Sequence, residues 1–187
     1  MFVLGITGPS GAGKGTASEI LKKYGFYHID TDRLVPEIYP MALPQLVDRF
    51  GPQIVENGNV VKKELAKAAF ASPEATAALN EILHPKIMDR VAELIRDAEA
   101  AEYAGVSVDG AALHEAHAEA VCDRILCILA PREERLRRVV ARDGISQNAV
   151  EMRFAAQKSD EYYASQSDAV IINRSVEQLE KELKALL

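Results

Sequence analysis

The chain has 187 residues, is 48% hydrophobic and 27% charged, and carries a net charge of −6. This composition excludes collagen-like, mucin-like and wholly disordered chains, and the length fits one domain with a sizeable core. With no global basic field, binding to long nucleic acids is disfavoured, so any anion must be met by a local device. No run of about 18 apolar residues is present to span a membrane, and the apolar start MFVLGITG is too short for a signal peptide and lacks a basic front end. Cys122 and Cys127 lie five apart in an apolar run, which matches neither a metal nor a redox spacing. They read as buried thiols of a protein in the reducing cytoplasm.

In chain order, FVLGIT at Phe2–Thr7 predicts a strand buried on both faces, closed by Gly8-Pro9. Residues 14–24 predict an amphipathic helix through Ala17, Ile20, Leu21 and Tyr24, stopped by Gly25. FYHID at Phe26–Asp30 predicts a second strand. Residues 33–101 read as mainly helical, broken at Pro36, Pro40, Pro44, Pro52, Pro73 and Pro85. Ser72-Pro73 reads there as an N-cap followed by Pro at the first helical position. Ile87, Val91, Leu94, Ile95 and Ala98 form a helical stripe in the same stretch.

Gly105–Asp109 and residues 124–130 predict the third and fourth strands. Pro131 opens a charged helix with Arg132, Arg135, Arg137, Arg138 and Arg142, ended by Gly144. Ser146 caps the next helix, which holds Val150, Arg153, Phe154 and Gln157. Ala169–Ile172 predicts a fifth strand. Residues 175–187 predict a closing helix with a capping box at Ser175 and Gln178. Short apolar strands alternating with helices imply an α/β fold with a parallel sheet covered on both faces.

The strongest motif is Gly8-Pro9-Ser10-Gly11-Ala12-Gly13-Lys14-Gly15-Thr16. It fits the phosphate-loop pattern G-x-x-x-x-G-K between a strand and a helix. Its glycines let backbone N–H groups turn inward around phosphate oxygens, and the helix start adds its positive end. Lys14 supplies a mobile cation for the β- and γ-phosphates. Gly15 stands where a Mg²⁺-binding hydroxyl is usual, and Thr16 follows one place later. The GKGT ending favours small-molecule kinases over motors. Neither N-K-x-D nor T-K-x-D, the base-reading signals of GTPase switches, is present.

Asp30 and Asp32 follow the second strand, at the sheet edge where open α/β sheets bind ligands. One could accept the proton of an acceptor hydroxyl and the other could hold Mg²⁺; a helix-capping acid beside a surface acid is the structural alternative. Arg138 and Arg142 are four apart on one helix face and suit a clamp on one anion. His114, Glu115, His117 and Glu119 lack metal-site spacing and read as a solvated helix.

Taken together, these pieces resemble the dephospho-coenzyme A kinase family over nearly the whole chain. The matching segments are GITGPSGAGKGT, IDTD, RFG at 49–51, LNEILHP at 79–85, DGAALHE at 109–115, RLRRVVARDGIS at 135–146, AAQKS at 155–159 and SDAVIINR at 167–174. The segment after the third strand departs from the family's usual P-L-L-F-E, keeping only Leu113 and Glu115.

The resemblance implies a three-layer P-loop fold with a five-stranded parallel sheet. Its core would be residues 1–32, 104–131 and 165–187, with a helical acceptor-binding insertion at about 33–103 and a lid at about 132–164. It implies ATP-dependent phosphorylation of the ribose 3′-hydroxyl of dephospho-CoA, with Mg²⁺. Asp32, Lys14 and Arg142 would be catalytic. Gly8, Gly11, Ala12, Gly13, Lys14, Gly15, Thr16, Arg138 and Arg142 would bind ATP. Asp30, Asp32, His84, Glu115 and Arg153 would bind the acceptor, with His84-Pro85 starting a helix of that region, and Thr16 and Asp30 would serve the metal. A cytidylate-type kinase and an inactive nucleotide-binding regulator are the alternatives. The expected partners are the two small substrates, with no nucleic acid and no membrane. The surface pattern suits a monomer and a homo-oligomer equally.

Overall fold

The computed structural model describes residues 1–187. Five strands form one parallel sheet: β1 (Phe2–Thr7), β2 (Phe26–Asp30), β5 (Gly105–Asp109), β6 (Arg124–Leu129) and β7 (Ala169–Ile172), in the order β2-β5-β1-β6-β7. Alternation along each strand divides the core in two. Leu4, Ile6, Leu126, Ile128 and Ile171 pack with α1 (Lys14–Lys23) and α8 (Val176–Leu186) on one face. Val3, Ile29, Val106, Val108 and Ile125 pack with α2 (Thr31–Phe50), α3 (Lys62–Ala69) and α4 (Pro73–Ala100) on the other. The result is a three-layer sandwich, the arrangement that buries a parallel sheet on both faces. Because all strands run the same way, their carboxyl ends share one edge, and the loops there build the site.

The five expected strands and the caps at Ser72, Ser146 and Ser175 are present: their hydroxyls accept from Ala75, Ala149 and Gln178 amides. The capping box is half formed, since the Gln178 side chain donates to Glu182 at 2.6 Å instead of returning to Ser175. Gly144 ends α5 (Arg132–Asp143) in the left-handed conformation, with φ 65°.

Two expectations between β2 and β5 are corrected. Pro36, Pro40 and Pro44 do not break the chain there; all three lie inside α2. They share its exposed face, where carbonyls that lose their helical donors can bond water. Leu34, Ile38, Leu46 and Phe50 face the core, and burying each contributes about 1.5–3 kcal/mol. That offsets the cost of about 3 kcal/mol for an interior proline. Likewise His84-Pro85 starts no helix, because Pro85 is exposed in the middle of α4.

The helical reading of this region also missed a short hairpin, β3 (Val55–Glu56) and β4 (Asn59–Val60). Its turn residues Asn57 and Gly58 have φ 51° and 78°. Asn-Gly is the usual signal for such a turn, so it was legible. No helix of the fold is long and apolar enough to cross a membrane.

Candidate active site

The phosphate loop joins β1 to α1 and is held from three sides. Gly8, Gly11 and Gly13 have φ 135°, 80° and 112°, conformations that L side chains rarely adopt. A Cβ at Gly8 would collide with the Ile128 carbonyl, one at Gly11 would lie 2.7 Å from the Arg135 carbonyl, and one at Gly13 would strike the Asn173 amide. The loop therefore lies flat against β6, α5 and the turn after β7. Buried Asn173 locks it by donating to the Ala12 carbonyl at 2.8 Å. Gly13 caps α1 with no side-chain hydrogen bond, which leaves the first N–H groups of the helix available to an anion.

Lys14 reaches back to the Gly8 carbonyl, with Nζ 2.9 Å from the oxygen. Burial lowers its pKa, while the negative charges of Asp109 and Asp32 act in the opposite direction. Asp30 caps α2: its Oδ1 accepts from the Asp32 and Arg33 amides, and Oδ2 pairs with Arg33 at 3.2 Å. The structural alternative for this residue is thus realised, yet Asp30 also lines the cleft. Desolvation and the neighbouring Asp30 raise the pKa of Asp32, and Lys14 opposes them.

Asp109 ends β5 beside the same cleft. Burial first, then Asp30 and Asp32, push its pKa up to about 6, against the pull of Lys14. Asp32, Asp109 and Lys14, all shifted and gathered in one confined space, form the kind of perturbed cluster that marks functional sites.

Two cavities meet here. A polar cleft of about 820 Å³ is lined by Gly11, Gly13, Lys14, Gly15, Thr16, Asp30, Asp32, Asp109, Arg138, Arg142 and Gln157, among others. An apolar cavity of about 300 Å³ opens beside it, between α2, α4 and the turns after β5. Asp32 lines both. The departure from the family pattern falls at this junction: Ala111 lines the cleft, and Ala112 lines the apolar cavity beside the retained Leu113.

Beyond α5 the chain folds back through α6 (Gln147–Ala155) and α7 (Asp160–Ser165). Phe154 lies under the guanidinium groups of Arg132 and Arg135, at 5.6 and 5.1 Å from the ring centre. Buried Arg135 pairs with Asp160 at 3.2 Å. Arg138 approaches the Gly11 and Ala12 carbonyls at 3.4 Å. Arg142 is tied to Asp143, Nε to Oδ1 at 2.6 Å, and Arg153 holds the other oxygen of Asp143 at 2.5 Å.

Most residues expected at the site therefore converge in the cleft. Gly8 and Ala12 are buried and support the loop from beneath. His84 lines the apolar cavity, with Nδ1 3.2 Å from the Glu115 carbonyl. Glu115 and Arg153 line neither cavity. Glu115 is half-buried, with its Oε2 shielded from solvent and unpartnered, and Arg153 is engaged with Asp143.

Three residues escaped the sequence reading. Asp109 was legible, since an acid ending a strand obeys the same edge rule that singled out Asp30 and Asp32. Gln157, whose Oε1 accepts from the Ser10 amide at 3.1 Å, and Asn173 meet the loop across 147 and 161 residues of chain, so no local signal reveals them.

Comparison with known proteins places this arrangement. The family model described as Dephospho-CoA kinase matches residues 2–178. A dephospho-CoA kinase from Corynebacterium glutamicum is 35% identical over all of this chain and 98% of its own length. The crystal structure of TT1252 from Thermus thermophilus is 32% identical, covers 99% of this chain and 95% of its own, and superposes with a TM-score of 0.80. A dephospho-CoA kinase from Campylobacter jejuni, 23% identical over 98% of this chain and 94% of its own, shares the fold with a TM-score of 0.59. With a phosphate loop, an acidic strand edge and an adjoining apolar cavity in one cleft, the chain belongs to the dephospho-CoA kinase family, which uses ATP to phosphorylate dephospho-CoA in coenzyme A biosynthesis.

Proposed function

We propose that the cleft transfers the γ-phosphoryl group of ATP to the ribose 3′-hydroxyl of dephospho-CoA, with Asp32 as the base. The observation that carries this reading is the position of Asp32, on the wall shared by the phosphate cleft and the apolar cavity. An acceptor seated in the cavity presents its hydroxyl at that wall, and a nucleotide on the loop presents its terminal phosphate from the other side. A raised pKa makes Asp32 a better proton acceptor than an ordinary aspartate.

The loop amides and the start of α1 hold the phosphates, and Lys14 follows the charge that moves as the γ-group leaves. Arg138 and Arg142 lie across the cleft on α5, where they neutralise phosphate charge. Residues 132–164 serve as the lid that excludes water, and residues 33–103 form the acceptor-binding unit.

The donor set of the cleft fits Mg²⁺, a hard cation that takes oxygen ligands: it offers the Thr16 hydroxyl and three carboxylates. No group of three or more Asp, Glu, His or Cys side chains is gathered to hold an ion unaided. Thr16, Asp109 and, once released from Arg33, Asp30 would hold it together with phosphate oxygens. Bound there, it would neutralise charge on the phosphates. We place the reaction in the cytoplasm, a setting that suits the unpaired thiols of Cys122 and Cys127.

The test is ADP release with ATP and Mg²⁺ and one acceptor at a time: dephospho-CoA, CMP, AMP or pantetheine phosphate. The expected result is turnover with dephospho-CoA and a product phosphorylated at the 3′ position. Turnover with CMP and none with dephospho-CoA would overturn the reading.

A further inference from the structure

We infer that the apolar cavity is the base subsite of the acceptor, with Phe70 as its stacking face and Asn80 and His84 reading the edge of adenine. This rests on the functional reading above and assigns which part of the acceptor enters the cavity. Dephospho-CoA carries its reacting hydroxyl on the ribose that bears adenine, while the pantetheine arm is tethered through a pyrophosphate on the far side of the sugar. With the 3′-hydroxyl at Asp32, the base is the only bulky apolar group within one sugar ring of that carboxylate. The cavity begins at Asp32, and its volume of about 300 Å³ is at the low end for small-molecule pockets. It suits a purine and not the whole acceptor.

Phe70 supplies the second observation. It follows α3 at the rim of the cavity, and 68% of its surface is exposed. A large aromatic ring held in water beside an apolar hollow is what a flat ligand needs for stacking.

The polar side chains of the lining complete the match. The Glu115 carbonyl can only accept, so His84 Nδ1 donates to it, and a neutral ring in that tautomer presents Nε2 as an acceptor. Asn80 lines the same wall, and its amide forms no hydrogen bond within the protein. Adenine offers a donor, its 6-amino group, beside ring-nitrogen acceptors. An imidazole acceptor and an amide with both capacities meet that edge, and Asn is the side chain suited to adenine in other settings. Cytosine is smaller and would leave part of the cavity unfilled.

The experiment measures kcat and KM for ATP and for the acceptor, using wild type, Phe70→Ala, Phe70→Tyr and Asn80→Leu. Each enzyme is tested with dephospho-CoA and with its analogue in which hypoxanthine replaces adenine. Phe70→Ala is expected to raise the acceptor KM about ten- to a hundredfold with the KM for ATP unchanged, and Phe70→Tyr to restore it. Wild type is expected to prefer adenine, and Asn80→Leu to lose that preference; thermal melts establish that each variant is folded. An unchanged acceptor KM in Phe70→Ala, or undiminished base preference in folded Asn80→Leu, would overturn the base subsite alone. Absence of wild-type turnover with dephospho-CoA would overturn the functional reading, and the subsite with it.

Discussion

Asp30 and Asp109 are direct register partners at the carboxyl ends of neighbouring strands β2 and β5. Parallel pairing therefore brings two carboxylates side by side, and Asp32 in the first turn of α2 adds a third. Lys14 is the cation set against them. Asp30 is also paired with Arg33 at 3.2 Å, so Lys14 is left facing Asp32 and Asp109.

One consequence concerns pH. The Asp109 pKa rises from 3.8 to about 6 on folding, chiefly through burial. Between these values the native state binds more protons than the unfolded chain, so stability falls as pH rises through that range. Asp109→Asn removes this penalty. It should stabilise the ligand-free protein at pH 7 by about 1–3 kcal/mol, with a gain that fades toward pH 4. Thermal melts of both proteins from pH 4 to pH 8 check this; parallel curves would refute it.

Asp32→Asn retains the shape of the carboxylate and loses its basicity. Turnover should drop by about 10²–10⁴, the usual contribution of a general base. Equilibrium binding of ATP should persist, because the phosphate loop is untouched. An inactive regulator would show no turnover to lose, so the wild-type rate separates the two cases.

The glycines of the loop should respond unequally. Gly13→Ala forces a Cβ into the Asn173 amide at φ 112°, and it should destabilise the fold by about 1–3 kcal/mol. Gly15 has nothing within 4 Å of its would-be Cβ and lies inside α1. Gly15→Ala should therefore leave stability unchanged or raise it by up to about 1 kcal/mol. Chemical denaturation of the two variants would show the contrast, and equal losses would count against the loop geometry.

Gln157, just beyond α6, accepts a hydrogen bond from the Ser10 amide through its Oε1. Gln157→Ala leaves that N–H without its side-chain partner and loosens the loop where phosphate binds. The expected effect is a weaker affinity for ATP by about two- to tenfold, in line with the loss of one neutral hydrogen bond. Acceptor KM should hardly move. Isothermal titration with a non-hydrolysable ATP analogue measures the first quantity, and steady-state kinetics the second.

The sequence by itself determined the strands, the phosphate loop and the acids at 30 and 32, because each is a local pattern: an apolar run, a glycine spacing, a carboxylate at a strand end. It also contained the Asn57-Gly58 turn and Asp109, whose local signals were present but passed over. The prolines of α2 misled it, since their cost depends on which helix face they occupy, and the core on the other face decides that. Only the tertiary structure set Gln157 and Asn173 against the loop, sent Glu115 away from both cavities, and put Asp32 on the wall between them. Those relations join residues far apart in the chain. They exist only after both faces of the sheet are covered and its strand ends are brought to one edge.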